Sequence, residues 1–225
     1  MKRFACCLLF VVCCAFLPFT VSAQRDFTKA EIQASQLKEL GLFRGVSEND
    51  FALERAPSRI EALVMLIRVL GKENEVVNDV WKHPFTDVPA WADNYVGYAY
   101  SKGLTNGESD TKFGTGNANA ATYLTFVLRA LGYSDTNGKD FSWNDPYILS
   151  EETGILSDEV DTENFLRADV AIVSYKALSS YINGEDYTLA EKLIDAGLFT
   201  KRKFDSVYYL PEDDKDENAD ELSVL

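Results

Sequence analysis

The chain has 225 residues, 46% of them hydrophobic, and a formal net charge of −14 at pH 7. A chain this acidic is repelled by the phosphates of nucleic acids and by anionic membrane surfaces, so we expect neither as a partner. Its length and apolar content are enough for one packed core or two small ones. The composition therefore indicates a globular protein with ligands of another class.

The first 23 residues have the pattern of a secretory signal peptide. Lys2 and Arg3 precede an apolar run from Phe4 to Phe19, and small residues at 21–23 form a cleavage site. Because the run is too short for a permanent span, we predict secretion to the cell surface without membrane insertion after cleavage. All four cysteines lie in this segment, which leaves the mature chain no disulfide, catalytic thiol or thiolate metal site.

Four segments share one pattern, in which an amphipathic stretch is followed by a glycine and then by Leu or Ile. Glycine suits the left-handed residue just past a helix, and the apolar residue after it can pack against the last turn. Each segment is therefore predicted to be a helix closed by its glycine. The segments are 34–43, 97–106, 150–158 and 190–199, and the glycines are Gly41, Gly103, Gly154 and Gly197.

Three of these ends are followed by a polar loop and a second apolar helix, at 58–71, 119–132 and 166–179. Apolar residues recur in each at helical spacing on one face. Three aromatic-hydroxyl pairs, Phe27-Thr28, Phe85-Thr86 and Phe141-Ser142, are predicted to open the units, with the hydroxyl capping a helix. No stretch alternates apolar and polar residues long enough to demand a sheet, so the predicted fold class is all-α.

These patterns divide the chain into helix-loop-helix repeats. The run PEDDKDENADE and the few residues after it offer no packing face, so they are predicted to be a disordered acidic tail. The predicted segments are the signal peptide 1–23, a first repeat 24–84, a second repeat 85–140, a degenerate third repeat 141–183, a partial repeat or closing helix 184–210, and the tail 211–225.

The repeats resemble the S-layer homology domain, which opens F-x-D-V-P-x-x-W-A and has a second helix opening T-R-A-E and ending R-A-L-G. Phe85 to Ala92 and Arg129 to Gly132 match in the second unit, Ser58 to Glu61 in the first, and Leu166 to Asp169 in the third. The resemblance implies three repeats about a pseudo-threefold axis. It also implies grooves between repeats that bind secondary cell-wall polysaccharide, often carrying a pyruvate ketal, and so hold exported proteins on the bacterial surface.

The chain departs from this pattern in all three units, and the first unit lacks the D-V-P and the tryptophan altogether. Ala120 stands where Arg59 stands in the first unit, and Thr122 replaces the acidic residue that matches Glu61. The third opening, 141–146, is degraded. We therefore expect at most two grooves to be competent by the criterion of an arginine.

Arg59 is the candidate ligand that the residues themselves favour. A cation in the first helical turn faces the positive end of the helix dipole, which costs about 0.3–1 kcal/mol at an exposed site. An anionic ligand held by the guanidinium and free N–H groups would explain this placement. The same argument applies to Arg167, with Asp169 as a possible orienting partner, and the alternative for both arginines is a surface ion pair.

Other candidates have structural alternatives of their own. Ser58 and Glu61 have the spacing of a capping box, which alone explains the glutamate. Trp91 is either a stacking platform for a sugar ring or the core anchor of its helix. Gly103 and Gly107 fit a helix stop and a turn, and the resemblance adds that glycine lets a ligand approach the backbone. The candidate glycan-binding set is Arg59, Glu61, Arg167, Asp169, Trp91, Asp87, Gly103 and Gly107.

We predict no catalytic residues, no metal and no cofactor. His83 is the only histidine and has no candidate nucleophile nearby in sequence. The favoured function is a non-enzymatic surface protein that binds an anionic cell-wall polysaccharide. One alternative is an extracellular module that has lost glycan binding and recruits another surface protein; another is a carboxylate-based hydrolase of wall glycans.

Overall fold

The computed structural model describes residues 25–48 and 50–208. The predicted signal peptide and acidic tail lie outside this part of the chain, as does the end of the predicted closing segment. Within the described part the fold is all-α, as predicted, and the only β pairing consists of isolated bridges. The helices are α1 (Thr28–Glu39), α2 (Arg59–Val69), α3 (Glu73–Val77), α4 (Asp93–Ser101), α5 (Ala120–Ala130), α6 (Tyr147–Glu152), α7 (Arg167–Ala177), α8 (Leu189–Asp195) and α9 (Lys201–Val207).

Helices α1, α4, α6 and α8 end at the four glycines that the sequence marks. After α4, for example, Gly103 has a φ of 71°, and the N–H of Leu104 donates to the carbonyl of Ala99 at 2.8 Å. This bond returns the chain over the last turn and buries Leu104. The positions of these helix ends are therefore confirmed.

Helices α2, α5 and α7 contact one another and form the centre of the core. Each has 11 residues, and their mutual contact buries large side chains such as Leu66, Tyr123 and Tyr175. Ten of the 11 residues of α7 are buried, because α1 covers the face that α2 and α5 leave open. These are the second helices of the three predicted repeats; the threefold arrangement of the repeats stays a prediction.

Backbone hydrogen bonds join the starts of these three helices. The segment 57–59 before α2 exchanges two bonds, of 2.8 and 2.9 Å, with the segment 116–118 before α5. The segment 53–55 accepts two bonds, of 3.0 and 3.1 Å, from residues 167–168 at the start of α7. Loops that are far apart in sequence therefore meet at one end of the core.

The predicted hydroxyl caps at the unit openings are wrong. The hydroxyl of Thr28 donates to Asp26 instead of capping α1. Thr86 bonds to the carbonyl of Thr111, and α4 begins only at Asp93, after a 3₁₀ turn at Ala90–Ala92. Pro89 starts that turn in an extended conformation, so the chain between Thr86 and α4 folds as a loop.

Two further observations bear on function. No helix in the described residues is long and apolar enough to cross a membrane. In the same part of the chain, no group of three or more histidine, cysteine or acidic side chains is placed to hold a metal ion.

A partly buried ion pair fixes the segment before α1 to α7. Arg25 donates to both carboxylate oxygens of Asp169, at 2.5 and 2.8 Å. Asp169 is fully buried and also accepts from the N–H groups of Leu166 and Asp161, each at 2.8 Å. This carboxylate therefore satisfies a cation and two backbone donors at the start of α7.

Replacing Asp169 with alanine should lower the free energy of unfolding by about 3–5 kcal/mol, since Arg25 and two N–H groups lose their acceptor. Urea unfolding followed by far-UV circular dichroism measures the change. The control is Asp158→Ala, an exposed carboxylate nearby, which should change stability by no more than about 0.5 kcal/mol. Equal effects of the two substitutions would contradict this role for Asp169.

Candidate functional site

A cavity of about 600 Å³ opens beside the start of α2, where loops from distant parts of the chain meet. Its walls come from the first residue of α2, the loop after α4, one face of α5, and the turn before α6. This volume is within the range of about 300–1,000 Å³ that is usual for small-ligand sites. The lining residues are Arg59, Asn106, Gly107, Glu108, Asn119, Ala121, Thr122, Thr125, Phe126, Arg129, Asp135, Trp143 and Asn144.

Arg59 lies between two aromatic rings in the wall of this cavity. Its guanidinium carbon is 5.2 Å from the ring centre of Phe113 and 5.0 Å from that of Phe126. Its Nη1 donates to the hydroxyl of Thr122 at 3.4 Å, and its buried Nε has no hydrogen-bond partner. Within the described residues no carboxylate lies within ion-pair distance of it, so the rings hold an unneutralised cation in place.

The second arginine of the cavity differs in being neutralised. Arg129 donates to both oxygens of Asp135, at 2.9 and 2.6 Å, and also to the carbonyl of Leu104 at 3.2 Å. The hydrogen bonds from Arg129 lower the pKa of the Asp135 carboxyl, so it stays ionised near neutral pH. The pair therefore contributes polar groups to the cavity but little net charge.

Burial and nearby charges act on Arg59 in opposite directions. Burial lowers its pKa, Glu108 raises it by attraction, and Arg129 lowers it by repulsion. A guanidinium remains protonated under such shifts because it is the strongest base among the side chains. Because Arg59 is partly desolvated, an anion entering the cavity would gain an interaction that water screens less than at a fully exposed site.

The start of α5 supplies neutral hydrogen-bonding groups. The side chain of Asn119 caps the helix by accepting from the N–H of Thr122 at 2.9 Å. Asn106 lies in the loop opposite, and Asn144 in the turn before α6. Amide and hydroxyl side chains can both donate and accept, as the hydroxyl groups of a sugar require.

Of the predicted site residues, the cavity brings together Arg59 and Gly107. Glu61 completes the capping box with Ser58. It also accepts hydrogen bonds from the two terminal guanidinium nitrogens of Arg55, at 2.6 and 2.9 Å. The hydrogen bond from Arg55 lowers the pKa of Glu61 to about 2. Asp87 accepts from the N–H groups of residues 113 and 114 at 2.8 and 3.1 Å. The structure therefore gives both acids a structural role.

Arg167 lies apart from this cavity and is only 4% exposed. Its Nε donates to the carbonyl of Phe51 at 2.8 Å, and its Nη1 contacts the sulfur of Met65 at 3.2 Å. Burial is the main cause that lowers its pKa. Its predicted partner Asp169 is engaged by Arg25. The contacts of this predicted pair are structural, and its role in glycan binding stays a prediction.

Trp91 and Gly103 also lie outside the lining of the cavity. Trp91 is 61% exposed in the 3₁₀ turn before α4, so it is not the core anchor that the sequence allowed as an alternative. Gly103 has open space around its Cα, which agrees with a helix stop. Neither position contradicts ligand binding at another surface, and neither supports it.

One part of the chain matches a known protein family. Residues 84–118, which include the Gly107 loop of the cavity, match the family model of the S-layer homology domain. This stretch of the chain is therefore similar to an S-layer homology domain. The match covers the second predicted repeat from the F-T-D-V-P opening to the loop before α5, so that part of the resemblance is confirmed.

Two known proteins are also similar to part of this chain. A surface layer protein of Brevibacillus choshinensis is 28% identical over 119 residues. A middle cell wall protein of Brevibacillus brevis is 26% identical over 119 residues. Each alignment covers 51% of this chain, but only 10% and 11% of the respective relatives. The chain therefore spans only about a tenth of the length of each of these relatives.

Sequence reasoning missed Trp143, Glu108 and most of the polar lining. The third unit carries Trp143 where the S-layer homology pattern has the aspartate that matches Asp87, and this exchange was the available signal. Asn106 and Glu108 flank Gly107, which was predicted. Their convergence on Arg59 depends on the pairing of segments 57–59 and 116–118, which no local pattern specifies.

The two predicted glycines form a matched pair for testing the loop of the cavity. Both have positive φ, 71° for Gly103 and 75° for Gly107. A Cβ at Gly103 would meet no atom within 4 Å, whereas at Gly107 it would lie 2.3 Å from Phe85 Cε1 and 2.6 Å from the carbonyl of Lys112. Of these two glycines, Gly107 is the one required by close packing as well as by backbone conformation.

Gly103→Ala should therefore cost about 1–2 kcal/mol of stability from backbone strain alone. Gly107→Ala should cost about 1–3 kcal/mol more, because Phe85 or the loop must move. Thermal and urea unfolding of the two variants measure the difference. Equal stability of the two would show that the Gly107 loop is looser than described.

Proposed function

We propose that this chain is a non-enzymatic cell-surface protein that binds an anionic secondary cell-wall polysaccharide, such as one carrying a pyruvate ketal, and so attaches to the bacterial wall. The environment of Arg59 is the observation that supports this proposal most strongly. Arg59 has a positioned guanidinium in the wall of a ligand-sized cavity, and within the described residues no carboxylate lies within ion-pair distance of it. The similarity to a surface layer protein and a cell wall protein supports the cellular setting.

The charges of the cavity favour a ligand with one acidic group. Arg129 and Asp135 neutralise each other, so Arg59 and Glu108 are the remaining charges among the lining residues. A single carboxylate can bind Arg59 through two parallel hydrogen bonds. A densely charged polymer would instead meet Glu108 and the net charge of −14, and long-range repulsion would oppose its approach.

The carboxylates of the cavity support a binding function over hydrolysis. Glycoside hydrolysis generally uses two acids, one of which donates a proton to the leaving oxygen. Here Asp135 is held ionised by Arg129, so among the lining residues only Glu108 is free of a cationic partner. The proposed protein therefore retains a glycan without cleaving it.

The proposal keeps the three predicted repeats, at 24–84, 85–140 and 141–183, followed by the closing segment 184–210. With these bounds the cavity draws Arg59 from the first repeat, Gly107 from the second and Trp143 from the third. Binding would then occur at a junction of repeats. Of the two predicted arginines, our proposal uses Arg59 alone. Because Arg167 is buried, we expect a single functional site in each chain.

Arg59→Ala should weaken binding to purified cell walls about 10- to 100-fold, since hydrogen bonds to a charged group are worth about 1.5–3 kcal/mol. Arg59→Lys should give an intermediate loss, because lysine keeps the charge without the planar pair of donors. Co-sedimentation with walls of the producing organism measures the affinity. Chemical removal of the wall polysaccharide should abolish binding of the unaltered protein.

The matched control is Arg202→Ala, which removes an exposed arginine on α9 and should leave wall binding unchanged. If Arg59→Ala bound walls as the unaltered protein does, with its helical circular dichroism intact, the polysaccharide site would be wrong. Retention of binding on walls stripped of polysaccharide would instead favour recruitment by another surface protein.

A further inference from the structure

Trp143 is a large aromatic side chain that the fold leaves exposed at the edge of the Arg59 cavity. It is 65% exposed and lines the same space as Arg59 and Thr122. A single exposed apolar side chain is common on protein surfaces. This one is unusual because it lines the same ligand-sized cavity as a guanidinium that has no ion-pair partner within the described residues.

The backbone around Trp143 is fixed by local hydrogen bonds. The N–H of Asp145 donates to the carbonyl of Ser142 at 3.0 Å, and the hydroxyl of Ser142 donates to Asn144 Oδ1 at 2.6 Å. The hydroxyl of Thr125, on α5, donates to the carbonyl of Trp143 at 3.0 Å. The turn is therefore attached to the helix that forms the cavity wall, and the ring is presented from a rigid support.

The sequence position of Trp143 shows that its side chain has no capping role. At the matching position of the second unit, Asp87 accepts hydrogen bonds from the backbone N–H groups of residues 113 and 114. An indole has a donor but no acceptor, so it cannot form such bonds. Where the second unit has a carboxylate that accepts from the loop backbone, the third unit therefore has a flat apolar surface.

We propose that Trp143 is the platform on which a sugar ring stacks while the acidic substituent of that sugar binds Arg59. This inference rests on the proposed function and specifies the ligand as a hexose unit with one carboxylate at its edge. A pyranose ring has an apolar face of C–H groups that packs on an indole, and its hydroxyl groups meet the amides of Asn106 and Asn144. Trp143, and not Trp91, determines the preference for a sugar over a simple carboxylate.

The test uses two small probes that separate the sugar from its charge. One is a methyl hexoside carrying a pyruvate ketal, and the other is free pyruvate. Titration of isotopically labelled protein, followed by amide NMR shifts, measures millimolar affinities and reports the fold of each variant before ligand is added. Trp143→Ala should bind the ketal hexoside about three- to tenfold more weakly and bind pyruvate within about twofold of the unaltered protein.

Three further variants serve as controls for the stacking contact. Trp143→Phe keeps an aromatic face and should retain most of the affinity for the hexoside. Trp91→Ala removes an exposed tryptophan outside the cavity and should change neither affinity. Arg59→Ala should weaken both probes, which separates the role of the charge from the role of the ring.

The outcomes distinguish this inference from the proposed function. If Arg59→Ala weakens both probes but Trp143→Ala binds the hexoside normally, the stacking role is wrong and the anion site stands. If the loss of hexoside affinity follows Trp91→Ala instead, the platform lies elsewhere and the inference is again wrong. Absence of saturable shifts with either probe in the unaltered protein would overturn the proposed function, and this inference with it.

Discussion

The mutual packing of α2, α5 and α7 determines where the rest of the molecule lies. Because these three helices contact one another, the loops that lead into them converge and pair through the backbone of 53–59, 116–118 and 167–168. That pairing brings residues more than 80 positions apart, such as Arg59 and Trp143, to one cavity. Loss of the core contact would separate the walls of the site even if each helix survived.

The same convergence of loops places the two arginines at helix starts in different environments. Both Arg59 and Arg167 are first residues of their helices, where the helix dipole opposes a cation. Arg167 is covered by the 51–55 loop and bonds to a backbone carbonyl, and Arg25 takes the acid beside it. Arg59 instead lies between two rings with its Nε unsatisfied. The two helix starts are therefore similar in sequence, but Arg167 is buried whereas Arg59 is accessible to a ligand.

Local chemistry in the sequence was enough to predict the main helices, but not the short helices α3 and α9 and not the site. Glycine with positive φ followed by an apolar residue marks a helix end regardless of context, as at Gly103. The hydroxyl of Thr86 failed as a cap because Pro89 and a 3₁₀ turn delay α4. Arg59 and Gly107 were predicted, but the choice of Trp143 over Trp91 depends on tertiary placement. The burial of Arg167 depends on a loop more than 100 residues away in sequence.

Hydrogen exchange measured by mass spectrometry, with and without the wall polysaccharide, tests the location of the site most directly. We predict that polysaccharide slows exchange in peptides covering 106–108, 119–122 and 142–144, which line the cavity, and leaves the start of α7 at 166–169 unchanged. Arg59→Ala should remove that protection. Protection centred on the start of α7 or on the Trp91 turn, with none at the cavity, would contradict a polysaccharide site at Arg59.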